Sequence, residues 1–103
     1  MSDVEAVARA HANRVVAGDP GARADFAPEA EMEPADLLDR LLQGGFRRFE
    51  LVAHARIGAY HIFKTRYDGP ATVVVQARWV ERPPGRWQVV EAEVARTAAG
   101  EGV

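Results

Sequence analysis

The hydrophobic rhythm of this chain changes once, near Phe46, and that change constrains the fold more than any other feature. Before it, apolar residues recur at three- and four-residue steps. After it, β-branched and aromatic residues follow a period of roughly two between turn signals. Helices gathered at the front and hairpin-linked strands at the back predict an α+β domain, with N-terminal helices packed in the concave face of a bent antiparallel sheet of about four strands. At 103 residues the chain is one domain, able to hide roughly two thirds of its unfolded surface. We place that domain at residues 1–97 and a disordered tail at 98–103.

In residues 3–17, Val4, Val7, Ala8, Ala12, Val15 and Val16 fall along one side of a helix, and His11 lies inside that stripe. Ser2 or Asp3 can cap its start, and Gly18 can take the left-handed turn that ends it. Asp19 and Pro20 then open a short helix over about 20–26, with Phe26 as its anchor and Pro28 as its limit. Residues 29–33, EAEME, are too short and too acidic to assign. A third helix starts at Pro34, carries Leu37, Leu38, Leu41 and Leu42, and stops at Gly44 and Gly45. Asp36 and Arg40 stand one turn apart on its outer side as a solvated pair.

The strands are expected at about 46–57, 59–67, 71–81 and 86–96. Asp68-Gly69-Pro70 and Arg82-Pro83-Pro84-Gly85 supply reversals; Gly58 marks either a third reversal or a bulge in one long bent strand. Alternation puts Arg48, Glu50, Val52, His54 and Arg56 on one side of the first strand, as a solvated face or a dimer face. Opposite lie Phe49, Leu51, Ala53, Ala55 and Ile57. On the third strand, Val73, Val75, Ala77 and Trp79 form one apolar surface, with Thr72, Val74, Gln76, Arg78 and Val80 behind it. A strand apolar on both sides is usually covered on both. A second copy of the chain is the economical cover, so a homodimer through the sheet is expected.

A net charge of −2 leaves no electrostatic footprint for nucleic acid. The opening MSDVEAVARAHANR has no unbroken apolar run, so no signal peptide, membrane span or membrane partner is expected, and the location predicted is cytoplasmic. With no cysteine, thiolate metal sites and thiol nucleophiles are unavailable. His11, His54 and His61 lack HxH or HExxH spacing; His54 and His61 can approach across neighbouring strands and read as a chance pair. No GxSxG, P-loop or dinucleotide motif occurs. Neither a cofactor nor a metal is therefore expected.

The run NRVVAGDPGARADFAPEAEMEP, followed by TVVVQARWVERPPGRWQVVEAEVAR, resembles the nuclear transport factor 2-like superfamily, the cone-shaped, cystatin-like α+β fold shared with ketosteroid isomerases and SnoaL-like polyketide cyclases. The matching features are a helix closing in AGD, a short second helix carrying Phe26 and ending in FAPEA, and a last strand pair in which Gly85 precedes Arg86 and Trp87. The resemblance implies an apolar cone pocket with His11, Val15, Phe26, Leu38, Gln76 and Trp79 in its wall. It also implies His11 at the position of a hydrogen-bond donor and Glu33 close to that of a carboxylate base. The third isomerase group falls at Val75 or Gln76, neither an acid, so steroid isomerisation is not implied.

Two functions remain open. The first is an apolar small-molecule binder, with catalysis by His11 and Glu33 in cofactor-free proton transfer, cyclisation or hydration. The second is a non-catalytic dimerisation or protein-interaction module with a filled pocket. A cavity of roughly 300 Å³ or more, with His11 and a carboxylate converging on it, discriminates the first from the second.

Overall fold

The computed structural model of the chain describes residues 3–83 and 85–97; the tail expected at 98–103 lies outside the described residues. Helix α1 (Val4–Val16) begins where the Asp3 side chain accepts the Glu5 amide hydrogen at 3.1 Å. It ends at Gly18, whose φ of +67° no β-carbon-bearing residue adopts without strain. Asp19 repeats the capping device, accepting from the Gly21 amide at 2.8 Å, and opens a 3-10 helix over Pro20–Asp25.

Phe26 does not extend that helix. It starts strand β1 (Phe26–Glu33), which takes in the unassigned EAEME segment. Helix α2 (Leu37–Leu42) then precedes β2 (Arg48–Ile57), β3 (Tyr60–Asp68), β4 (Thr72–Arg82) and β5 (Arg86–Thr97). The sheet thus has five strands, one more than expected, in the order β1-β5-β4-β3-β2. It is mixed rather than purely antiparallel, because β1 runs parallel to β5, with Phe26 beside Val89 and Met32 beside Ala92. Gly58, with φ of +61°, makes the β2–β3 reversal, so the two are separate strands.

Register fixes which side chains meet the helices. Thr65 pairs with Val75 and Phe63 with Ala77, while Ala77 pairs with Ala92 and Trp79 with Val89, so these share the inner face. Trp79, Phe63, Val89, Leu37 and Val15 are the largest fully buried side chains. Each is worth about 1.5–3 kcal/mol or more of transfer free energy, which makes this layer the source of cohesion.

A bulge at Val52 changes the reading of β2. Beyond it the strand's faces exchange, so His54, opposite Phe63, and Arg56, opposite His61, lie on the inner face rather than beside Arg48 and Glu50. Glu50 and Arg48 remain outside, where they pair with Arg66 at 2.7 Å and Asp68 at 3.2 Å. The expected Arg40–Asp36 pair forms at 2.9 Å on the exposed side of α2.

The helical layer is shorter than the sheet. The 13 residues of α1 span about 20 Å at 1.5 Å each. The 12 residues of β5 span about 40 Å at 3.3 Å each, close to the molecule's long axis of 42 Å. The inner face therefore has a covered end and an uncovered end. Among the described residues no helix is long and apolar enough to cross a membrane.

Candidate functional site

His11 stands at the boundary between the two ends. It is only 7% exposed, with the Phe26 ring at 5.7 Å and the Trp79 ring at 5.6 Å, the latter edge-on. Its Nδ1 lies 2.8 Å from Asp25 Oδ2, and the Arg14 guanidinium donates to the same oxygen at 3.0 Å. A carboxylate oxygen can only accept, so Nδ1 carries the hydrogen and the ring orientation is fixed. The imidazole in the apolar stripe thus has a polar partner, supplied by the last residue of the 3-10 helix. Sequence reading did not identify Asp25. Its signal was the return of the chain at Asp19-Pro20, which carries the segment back along α1.

His11, Phe26 and Trp79 line one internal cavity together with Leu37, Leu41 and Tyr67. Its volume is about 20 Å³, close to one water's requirement of about 10–15 Å³. Burial in this layer pushes the pKa of the Tyr67 hydroxyl above its ordinary value, so it stays a neutral phenol. The other proposed wall residues lie elsewhere. Val15 and Leu38 are buried in the core without lining the cavity, and Gln76 is on the outer face. Glu33 is an exposed residue at the end of β1, opposite Glu93. The structure therefore does not bring Glu33 to His11; the carboxylate beside the imidazole is Asp25.

Larger hollows are open surface grooves. One, of about 380 Å³, runs between α2 and the sheet past Pro34, Arg40, Phe46, Val73 and Val94. Another, of about 500 Å³, follows the β1–β5 seam between Glu31, Glu33, Glu91 and Glu93.

The outer face has its own pattern. Val74, Gln76, Arg78 and Val80 of β4 are half-buried in the single chain, as is Ile62 of β3. Arg78 lies 5.1 Å from the centre of the Tyr60 ring and 3.8 Å from Glu91. Acidic residues concentrate on the β1–β5 side and basic ones, Lys64 and Arg66, on β3.

No protein-family model matches the chain, and no curated protein matches it in sequence. Among solved structures it is similar to an NTF-2-like protein of unknown function from Silicibacter pomeroyi DSS-3, with a TM-score of 0.67 over 91% of this chain and 92% of that one, at 10% identity. The fold is therefore the nuclear transport factor 2-like cone that the sequence resembles. This chain's version of it has an N-terminal helix and a five-stranded sheet, one strand more than sequence reading assigned.

Proposed function

We propose that this protein is a non-catalytic, self-associating module of the nuclear transport factor 2-like fold, its cone filled by its own side chains and its outer sheet face given to a second copy of the chain. The observation that carries this reading is the internal volume. About 20 Å³ lies beside His11, whereas small-molecule sites enclose about 300–1,000 Å³. Trp79, which lines that cavity, is 1% exposed and fills its wall with the largest side chain of the core.

Charge supports a particular pairing. A two-fold axis parallel to the strands and centred on β4, the middle strand, sets β5 of one copy against β3 of the other. Glu93, level with Gln76, then faces Lys64 on each side of the axis, while Val74, Arg78 and Val80 meet their own counterparts, Arg78 with its charge offset by the neighbouring Glu91. An axis across the strands would set acid against acid. The first arrangement is self-complementary, as an isologous interface must be.

Native mass spectrometry tests this directly. The expected species is twice the 11.3 kDa chain mass, and Val74→Glu should convert it to a folded single chain with an unchanged far-UV circular dichroism spectrum. A wild-type protein that stays a single chain at concentrations where its fold is intact would exclude the reading.

A further inference from the structure

The uncovered end of the inner face holds a feature that the module reading does not use. His54 Nε2 and His61 Nδ1 approach to 2.9 Å from neighbouring strands. The bulge at Val52 makes this possible, since without it His54 would point to the opposite side of the sheet. Both rings are held by aromatic neighbours. His54 stacks on Phe63 with centres 4.1 Å apart and planes 14° apart, and His61 meets Trp87 edge-on at 5.3 Å. The pair stays open to solvent, so an ion has a route in.

We propose that His54 and His61 form a two-histidine site for a divalent transition metal of the imidazole-preferring class, with Cu²⁺ bound most tightly and Ni²⁺ and Zn²⁺ more weakly. Two cis metal–nitrogen bonds of about 2.0–2.1 Å hold their nitrogens about 2.9 Å apart in the tetragonal geometry of Cu²⁺ and about 3.3 Å apart in the tetrahedral geometry of Zn²⁺. The present 2.9 Å contact already has the Cu²⁺ spacing and opens by a few tenths of an ångström for Zn²⁺; in either case each ring turns by roughly 35–45° so that its lone pair aims at the ion instead of at the other ring. At present one hydrogen occupies the gap between the rings. With His54 in its Nδ1–H tautomer and His61 in its Nε2–H tautomer, both lone pairs face the gap and the metal replaces that hydrogen bond without net proton release. Water completes the coordination, because among the described residues no third histidine or carboxylate joins the pair.

The local charges act in two directions. Burial first, then the neighbouring His54 and Arg56, disfavour a positive charge on His61. Arg56 also opposes a cation. Its Nε, however, donates to the Gly58 carbonyl at 3.3 Å, which directs the side chain toward the turn.

The test is a Cu²⁺ titration of untagged protein, followed by calorimetry and by tryptophan emission, since a copper ion at His61 would quench the adjacent Trp87. One ion per chain is expected, reversible by chelation, with weaker binding of Ni²⁺ and Zn²⁺. Cu²⁺ paramagnetic resonance should show two coupled imidazole nitrogens in the wild type and one in each single variant. His54→Gln and His61→Gln should each weaken binding at least about tenfold, by comparison with the 10–100-fold effects of outer-shell changes. Absence of saturable binding, or binding and quenching that survive both substitutions in a folded protein, would overturn the assignment.

Discussion

The two ends of the inner sheet face carry the same kinds of residue and use them differently. Under the helices, His11 meets Trp79, Phe26 and Asp25, and its Nδ1 hydrogen bond is made within the protein. Beyond them, His54 and His61 meet Phe63, Trp87 and each other, and remain open to solvent. An imidazole between aromatic rings is therefore structural at one end and available at the other. The helical layer decides which, because it buries His11 and Trp79 and leaves residues 52–60 exposed.

Substitutions can break this contrast. The largest effect should come from Trp79→Ala at the boundary, because Trp79 is 1% exposed and touches the His11 ring. A loss of about 3–5 kcal/mol is expected in urea unfolding. The vacated space should bind small apolar compounds that the wild type excludes. A loss below about 1 kcal/mol, typical of a mild change, would mean that Trp79 is not a plug.

Asp25→Ala should cost less, about 1–3 kcal/mol, since it leaves the His11 Nδ1–H buried without its acceptor. Asp25→Asn keeps an acceptor and should recover much of that loss. Equal destabilisation by the two variants would show that the negative charge shared with Arg14, rather than the hydrogen bond, holds the ring.

Much of the architecture was legible because its signals are local. The Asp3 and Asp19 caps, the Gly18 stop and the Asp68-Gly69-Pro70 reversal each act within a few residues, and each stands where the sequence placed it. Strand β1 was not legible, since it is a parallel edge strand whose partner β5 lies some sixty residues away. Its exposed Glu29, Glu31 and Glu33 hide the strand character of Phe26 and Met32. The inward turn of His54 was equally hidden, because strict alternation cannot foresee a bulge at Val52.

The site was half legible for the same reason. His11, Phe26 and Trp79 line one small cavity, whereas Glu33 and Gln76 lie on the other side of the sheet once β1 and the register are known. Asp25 was missed because its link to His11 crosses 14 residues and a change of chain direction. Periodicity reports which face a residue lies on, not which residue meets it from another element.

The most direct test of the filled cone is a nuclear magnetic resonance titration of wild-type protein with a panel of small apolar and aromatic compounds, following the His11 ring and the Trp79 indole. Resonances at both positions should stay unmoved to the solubility limit of each compound. Saturable shifts converging on His11, Phe26 and Trp79 would show a cavity that opens to ligand and would contradict the account.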